Sequence, residues 1–478
     1  MERLSANFAS VFKGIERMVG VANDALYTYI LIILLIAGGL YFTLRTKFVQ
    51  FRLFKEQFKA VTEKPQEKGG VSSFQALMVS TASRVGTGNI IGVSSAICLG
   101  GFGSVFWMWV IAIIGCASAF VESTLAQIYK KRGPDGAYGG PAHYIEAAVK
   151  GKGLALVFTV IMILTYGVGF NMLASYNLQS TFSNYSFYSN YSAWIIGGLV
   201  ALLVGICLFG SGKGIVKVTG FLVPIMGVLY VLVALIITCM NITELPSIFG
   251  RIFKSAFDFK AIFGGFTGSC VMYGIKRGLF SNEAGVGSAP NASASADVKH
   301  PVKQGLVQML SVFIDTILIC SATAFLCMAS GVEPTADAAG APFVQSALKE
   351  TLGAFGPIFI TVAMSLFAFT TLLGNLFYVD KGINHLVGHE PKRSVKSVYY
   401  IAACLVIFIG AGLEANFLWN VADVLMALMT LINMPVIIYL GKYAFRALKD
   451  YEKQRKEGKT PEFHAKDIDL PHKVDYWD

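Results

Sequence analysis

The residues Ser83-Arg84-Val85-Gly86-Thr87-Gly88-Asn89-Ile90 interrupt a hydrophobic stretch in which an unbroken helix would be expected. Largely apolar sequence lies on both sides, at 74–82 and at 90–99. Each glycine costs a helix interior about 1 kcal/mol relative to alanine. Within a bilayer, non-helical backbone is tolerated only where protein buries it or where it lines a watery cavity. The segment therefore predicts a discontinuous helix whose free peptide groups can bind a solute, as in secondary transporters.

The composition is that of an integral membrane protein. The chain has 478 residues, of which 55% are hydrophobic and 14% are charged, whereas a soluble domain is usually about a quarter charged. The mean hydropathy is +0.60. Apolar runs of about 20 residues, the length at which a helix crosses a bilayer, recur along the chain. They predict about 11 helical spans, at approximately 26–44, 71–99, 103–130, 154–181, 190–210, 215–240, 258–280, 302–331, 355–379, 397–412 and 417–441.

Neither the first apolar run nor the cysteines indicate processing or a metal centre. The run 26–44 ends in Arg45 and Lys47 rather than in a small-residue cleavage site, which is typical of a signal anchor. All eight cysteines lie inside apolar stretches without the spacing of metal ligands. We therefore expect buried thiols, with no disulfide and no organic cofactor.

The positive charge is distributed unevenly between the two sides of the predicted membrane. The net charge is +10, with 39 lysines and arginines in all. Alternate connections place 31 of them on one side, including four in 276–303, and 7 on the other, with Arg84 inside a span. This asymmetry predicts a cytoplasmic C-terminus and an outer N-terminus. The basic charge is accounted for by membrane topology, so nucleic acid is not an expected partner.

We expect one transmembrane domain built from two repeats. Five spans follow the first helix and five more come after them, so the two sets enter the membrane from opposite sides. The second set carries Gly264-Gly265-Phe266-Thr267-Gly268 and then Ser281–Asn291, which also contains a glycine-rich run. Paired interruptions in two inverted halves indicate a transporter binding site, although glycines can also serve close helix packing. The predicted parts are 1–70 with the extra helix and a loop, 71–240 and 258–441 as repeats, and a tail at 442–478.

Two segments outside the spans have distinct predicted characters. The stretch 245–260 is too charged to span, and Phe249, Phe253 and Phe257 share one helical face. It predicts an amphipathic helix in the outer interface. The tail opens as a charged helix, and its last part is expected to fray.

At its motifs the chain resembles the alanine/glycine:cation symporter family over nearly its whole length. The resemblance implies an all-α polytopic membrane protein with a LeuT-type five-plus-five inverted repeat and one extra N-terminal helix. It also implies Na⁺-coupled uptake of small neutral amino acids. The runs that carry it are Ser72–Leu77, Arg84–Ile90, Val105–Trp109, Gly139–Pro141 with Tyr144–Ile145, and Arg277–Gly285.

An amino-acid substrate presents a carboxylate, for which the interrupted helix is suited. We expect the N–H groups of Thr87 and Gly88, with the positive end of helix 89–99, to bind that carboxylate. Asn89 is expected to cap the helix and face the site. Asn171, Ser175 and Gln179 lie on one helical face and either line the pathway or join helices. The predicted substrate set is Ser83, Gly86, Thr87, Gly88, Asn89, Asn171, Leu173, Ser175, Phe266, Thr267 and Asn375.

Sodium is a hard cation that takes oxygen ligands, which unwound carbonyls at Ala82 and Val85 can supply. Bacterial neurotransmitter-type symporters are similar in having a Val-Gly-x-Gly-Asn break. That resemblance implies partner ligands on the eighth core helix, namely the Phe367 carbonyl and the hydroxyls of Thr370 and Thr371. The alternative is that the threonine hydroxyls bond back to the preceding helical turn.

The chain departs from the family at two substrate positions. The family commonly has glutamine near Leu173 and tryptophan near Asn375. Exchanging an indole for an amide predicts a larger and more polar pocket, with glutamine as a candidate substrate besides alanine, glycine and serine.

Charges within the spans are costly and therefore usually paired or functional. Arg84 lies beside the interruption and Asp315 lies in mid-span, so the two are one candidate ion pair. Asp315 is alternatively a second cation or proton site. Glu283 is expected in a cytoplasmic motif, as a helix-start or gate residue.

The sequence thus predicts a multi-pass symporter of the plasma (inner) membrane that works by alternating access. Its partners would be Na⁺, a small neutral amino acid and the lipid bilayer, with no obligate protein partner. An ion channel and a proton-coupled amino-acid transporter remain alternatives. A membrane-embedded transferase would require a cluster of polar catalytic residues at one interface, which the sequence does not contain, so no enzyme is expected.

Overall fold

The computed structural model describes residues 2–66, 70–133, 136–210, 214–265, 269–470 and 473–477. In these residues the regular secondary structure is helical apart from one antiparallel hairpin of Lys131–Gly133 and Gly136–Tyr138 and one isolated β-bridge. Four segments, Leu26–Leu31, Gly88–Gly92, Thr165–Gly169 and Phe313–Cys320, are π-helical. The α-helices are Glu2–Ala25, Ile32–Arg45, Val49–Arg52, Phe54–Thr62, Ser73–Arg84, Val93–Gly100, Gly103–Ile128, Pro141–Val149, Gly153–Leu164, Phe170–Ser180, Ser192–Gly210, Gly214–Met240, Leu245–Ala256, Phe259–Gly264, Cys270–Asn282, Pro290–Ser295, Pro301–Val312, Ser321–Ala329, Ala341–Leu352, Phe355–Val387, Arg393–Ala411 and Ala415–Lys456.

Within the described ranges, nine helical stretches are long and apolar enough to cross a membrane. The two predicted spans that are not among them, 71–99 and 258–280, are the interrupted ones. The all-helical membrane architecture predicted from the apolar runs is confirmed. The nine stretches are Lys13–Arg45, Gly103–Ile128, Gly153–Ser180, Ser192–Gly210, Lys217–Met240, Pro301–Ala329, Phe355–Val387, Arg393–Ala411 and Ala415–Lys456.

The first interruption lies where the two glycines predict it. A capping box starts the helix Ser73–Arg84: the Ser72 hydroxyl accepts from the Gln75 N–H at 3.1 Å, and Gln75 Oε1 accepts from the Ser72 N–H at 2.9 Å. This helix ends at Val85, whose ψ of 89° is not helical. Helical geometry resumes with the π-helical segment Gly88–Gly92, which continues into Val93–Gly100. The chain is therefore discontinuous over only a few residues.

An interruption lies within the second glycine-rich run of the second set of spans. Helix Cys270–Asn282 ends at Glu283, and the next helix starts at Pro290. Between them Glu283, Gly285 and Gly287 have φ values of 52°, 85° and 92°. This left-handed backbone costs glycine little and ends a helix. The predicted break at 264–268 stays a prediction, because Phe266 and Thr267 lie outside the described residues.

Glycines on helix Cys270–Asn282 allow it to pack closely against Gly103–Ile128. A Cβ on Gly274 would lie 2.6 Å from Trp107 Cβ, and one on Gly278 would lie 2.6 Å from Ile111 Cγ2. These two glycines, which lie outside the predicted interruptions, allow close helix packing. The packing fixes the position of the helix that leads into the second interruption.

The predicted amphipathic segment forms the helix Leu245–Ala256. Ile248 and Ile252 are buried on one side, while Phe249 and Phe253 are 39% and 44% exposed on the other. The exposed phenylalanines suit an interfacial position.

The tail was expected to fray, but it is packed against the rest of the protein. Phe463 and Ile468 are buried, and the Phe463 N–H donates to the Lys299 carbonyl at 3.0 Å. The Trp477 indole N–H donates to the Gln127 carbonyl at 2.7 Å. Because apolar and aromatic side chains recur within the charged tail, it gains enough buried surface to pack on the body of the protein.

A short bridge joins the regions that flank the two interrupted helices. Val71 pairs with Ala296 in a parallel β-bridge, and the Asp297 N–H donates to the Val71 carbonyl at 2.9 Å. Val71 lies just before helix Ser73–Arg84, and Ala296 lies just after helix Pro290–Ser295. The two half-helices are thus tied together at the same end.

Candidate functional site

A small cavity lies between the two interruptions. Five of the predicted site residues line it, and the other lining residues are Arg84 at the first interruption, three residues on two further helices, and Glu283 at the second interruption. Its lining residues are Ser83, Arg84, Gly86, Thr87, Gly88, Phe170, Ala174, Phe280, Glu283 and Thr371.

The backbone at the first interruption is held open by Asn89. Its Oδ1 accepts from the Gly86 N–H at 2.8 Å, which occupies one peptide group. The first N–H groups of a helix have no carbonyl acceptor within that helix. Thr87 and Gly88 lie at the start of the second half-helix, so their N–H groups have no acceptor in it. Both residues line the cavity. The interruption can therefore present two N–H donors to a carboxylate.

The predicted sodium ligands lie where helix Phe355–Val387 meets the end of Ser73–Arg84. A Cβ on Gly374 would lie 3.0 Å from the Ala82 carbonyl carbon, so the two backbones are in close contact. Val85 and Phe367 are fully buried at this contact. Thr371 Oγ1 is buried without a hydrogen-bond partner among the described residues, directly against Gly86. This oxygen is available to a ligand.

Thr370 behaves differently from its neighbour. Its hydroxyl lies 3.0 Å from the Leu366 carbonyl and 3.1 Å from the Phe367 carbonyl, to which it can donate. This is the back-bonded arrangement that the sequence left open as an alternative. The oxygen lone pairs remain, so its predicted role as a ligand stays a prediction.

The four predicted substrate residues on the neighbouring helices lie behind the cavity rather than on its wall. Asn375 Oδ1 lies 2.7 Å from the Ser83 hydroxyl, and Asn375 Nδ2 donates to Asn171 Oδ1 at 3.0 Å. Leu173 belongs to the apolar core, and Ser175 Oγ is buried without a partner in the described structure. Both ends of the Asn375 amide are engaged, and the expected enlargement of the pocket and its effect on selectivity stay predictions.

Asn177 contacts the interruption although the sequence argument passed over it. Its Nδ2 donates to the Thr87 hydroxyl at 3.0 Å. The predicted polar stripe of Asn171, Ser175 and Gln179 lies on the same helix but on a neighbouring face. Asn177 could have been proposed from the sequence because it is a polar residue only two positions from Ser175.

Aromatic rings close one side of the cavity. The Phe170 and Phe280 ring centroids are 4.7 Å apart, and those of Phe280 and Trp419 are 4.8 Å apart. The Arg277 guanidinium lies 4.0 Å from the centroid of the Trp419 ring. Phe280 also covers Gly88, since a Cβ on that glycine would lie 2.9 Å from its ring. The position of Phe280 just before the second interruption was the signal in the sequence.

Lys276 and Arg277 do not belong to a cytoplasmic connection, contrary to the charge count. Both are buried in helix Cys270–Asn282 and lie 3.1 Å and 3.0 Å from Asp423 Oδ2. The predicted connection 276–303 therefore loses two of its four basic residues. Buried charges of this kind need a partner, and Asp423 supplies it.

Glu283 lies at the site rather than at a cytoplasmic helix start. It is 1% exposed and ends helix Cys270–Asn282 in a left-handed conformation. Its Oε2 accepts from the Ser288 hydroxyl at 2.5 Å, and its Oε1 lies 3.3 Å from the Ser83 hydroxyl. The carboxylate thereby joins the two interruptions.

Arg84 and Asp315 form no ion pair in the described structure, so that candidate pair is excluded. Arg84 Nη1 donates to Gln308 Oε1 at 3.2 Å. Asp315 Oδ1 accepts from Asn89 Nδ2 at 2.7 Å, and its Oδ2 accepts from the Ser281 hydroxyl at 2.8 Å. Asp315 is thus bonded to both interrupted helices.

Two interrupted helices whose breaks share a cavity define a secondary transporter of the LeuT type. A solved structure of MhsT in complex with L-phenylalanine has the same fold, with a TM-score of 0.58 and 16% sequence identity over 80% of this chain and 93% of that one. Residues 12–465 match the Sodium:alanine symporter family. The chain belongs to this family of sodium-coupled amino-acid symporters, and it is a transport protein rather than an enzyme.

Two relatives indicate the range of the family. The chain is 41% identical to GlnT of Bacillus subtilis, named a probable sodium/glutamine symporter, over 97% of this chain and 96% of that protein. It is 36% identical to a sodium/proton-dependent alanine carrier protein of Bacillus sp. PS3, over 85% of this chain and 94% of the relative.

Proposed function

We propose that this protein imports a small neutral amino acid together with Na⁺ by alternating access. It would do so in the plasma (inner) membrane, with the N-terminus outside and the C-terminus in the cytoplasm. The observation that carries the proposal is the cavity between the interruptions, which Thr87 and Gly88 line.

We propose alanine as the first substrate. Phe170, Ala174 and Phe280 provide an apolar wall on which a short aliphatic side chain can pack. Glycine and serine, which also have short side chains, are proposed beside it. Glutamine is the second candidate, supported by the relative GlnT, and its amide would need polar partners such as the Asn177–Thr87 pair.

For Na⁺ the proposed ligands are the carbonyls of Ala82, Val85 and Phe367 and the hydroxyls of Thr370 and Thr371. All five are neutral oxygens, and hard cations bind oxygen ligands. The unpartnered Thr371 hydroxyl supports this assignment, since a buried polar atom without a partner is costly.

The proposed site also gives a physical basis for coupling. The sodium ligands come from helix Phe355–Val387 and from the end of Ser73–Arg84, so bound Na⁺ favours the state in which these helices are in contact. The same contact positions the free N–H groups of Thr87 and Gly88 for the substrate carboxylate. Na⁺ and the amino acid thus each stabilise the helix arrangement to which the other binds. Such mutual stabilisation raises the population of that conformation when either ligand is bound.

Uptake by proteoliposomes tests the function. Purified protein should accumulate labelled alanine when an inward Na⁺ gradient is imposed, and accumulation should stop when the gradient is dissipated. Glutamine is added as a competitor to rank the two substrates. Accumulation driven by a proton gradient without Na⁺ would instead show proton coupling, and an ion current without accumulation would show a channel.

A further inference from the structure

We propose that the cavity binds the two charges of its substrate separately, with the ammonium group at Glu283 and the carboxylate facing Arg84 and the N–H groups of Thr87 and Gly88. The inference rests on the proposed function, and it adds the residue that recognises each end of a zwitterion. Arg84 and Glu283 both line the cavity, from opposite interrupted helices.

Glu283 has unused capacity to accept hydrogen bonds. A carboxylate offers about four acceptor positions, and the Ser288 and Ser83 hydroxyls occupy one on each oxygen. Arg84 acts electrostatically on this carboxylate, but the two side chains form no direct ion pair among the described residues. A fully buried carboxylate of this kind is stabilised by a cation with donors of its own. The ammonium group of an amino acid has three.

Arg84, in turn, has buried hydrogen-bond donors without acceptors. It is 2% exposed, and its Nη1 donates to Gln308, but its Nε and Nη2 are buried without a partner in the described part of the chain. A guanidinium presents such nitrogens as a fork that matches a carboxylate. A substrate carboxylate held by the N–H groups of Thr87 and Gly88 would lie in the same cavity.

The opposite charges of the two side chains would set the orientation of the substrate. Arg84 acts electrostatically on Glu283 without a direct ion pair among the described residues, so a ligand between them can bind to both. An amino acid in the proposed orientation places opposite charges together at both ends. The reverse orientation would place like charges together at both ends, which is unfavourable at low dielectric.

Glu122 provides a matched control. It is also a fully buried carboxylate, and it accepts from the Gly285 N–H at 3.3 Å and from Asn433 Nδ2 at 3.0 Å. It does not line the cavity between the interruptions. Glu122→Gln therefore removes a buried negative charge near the second interruption without touching the proposed substrate contacts.

The test compares alanine with propionate, which is the same molecule without the ammonium group. Binding to the purified full chain is measured by thermal-shift titration at saturating Na⁺. Glu283→Gln should weaken alanine binding about 10- to 150-fold, as for a hydrogen bond between charged groups, and should leave propionate binding unchanged or tighter. Arg84→Gln should weaken both ligands alike. Glu122→Gln should leave the ratio between alanine and propionate at its original value.

The proposal is overturned if Glu283→Gln leaves alanine binding within twofold of the original, or weakens alanine and propionate by the same factor. Should this variant not fold, Glu283→Asp retains the charge but withdraws it from the ammonium, and a selective loss of alanine affinity is again expected. A failure of the original protein to bind any amino acid in Na⁺ would instead refute the proposed function.

Discussion

A single methyl group at Gly86 tests the proposed sodium site. A Cβ built on Gly86 overlaps the Thr371 hydroxyl oxygen and lies 3.1 Å from Thr371 Cβ. Gly86 does not have a left-handed φ, so Gly86→Ala adds no backbone strain there. The consequence of the substitution is therefore confined to the contact between the interruption and helix Phe355–Val387.

The size of the effect follows from this overlap. Thr371 must rotate its hydroxyl away or the two helices must separate, and overpacking of this kind costs about 1–3 kcal/mol. Either movement displaces a proposed Na⁺ ligand. Because about 1.4 kcal/mol corresponds to a factor of ten in affinity, the half-saturating Na⁺ concentration should rise roughly 5- to 150-fold.

The assay is the Na⁺ dependence of labelled alanine uptake by proteoliposomes. Gly92→Ala is the matched control, because a Cβ there lies 3.7 Å from Trp419 and 3.8 Å from Arg277, which is ordinary van der Waals contact. If Gly86→Ala and Gly92→Ala have the same half-saturating Na⁺ concentration as the original protein, Thr371 does not belong to a sodium site.

Three further substitutions report on other contacts. Asn177→Ala removes the hydrogen bond to Thr87, and the KM for alanine should rise several-fold, since such a bond is worth about 1 kcal/mol; an unchanged KM would exclude a role at the site. Trp477→Ala removes the bond to Gln127, so limited proteolysis should cleave the tail faster while the melting temperature of the body stays the same. Burial lowers the pKa of His143 to about 3, whereas the unfolded chain binds this proton near pH 6.5. The unfolded state therefore binds more protons between these values, and stability should fall as the pH drops below about 6.5. In the His143→Gln variant the melting temperature should fall less steeply as the pH drops below about 6.5. An unaltered pH dependence of the melting temperature would contradict the assignment.

The first interruption was predictable because its cause is local. Gly86 and Gly88 weaken a helix wherever they occur, and apolar flanks place them within the membrane. The second set of spans offers two glycine-rich runs in succession, and the sequence alone does not tell which of them faces the first interruption. The run at 283–289 does so through the contact of Phe280 with Gly88 across the fold, which no local pattern contains.

Side-chain partners were the part that sequence could not supply. Arg84 and Asp315 are the natural pair by charge, yet each bonds to neutral groups on other helices. Glu283 follows a helix in the chain, and only the meeting of the two interruptions brings it to Ser83. The tail was misjudged because a few large apolar residues outweigh its average polarity once a surface is available to them.

The β-bridge between Val71 and Ala296 bears on how the transporter moves. It joins the half-helices Ser73–Arg84 and Pro290–Ser295 at their ends. A rigid-body tilt of one half-helix is therefore expected to displace the other as well. A ligand bound to either half-helix would then act on the movement of both.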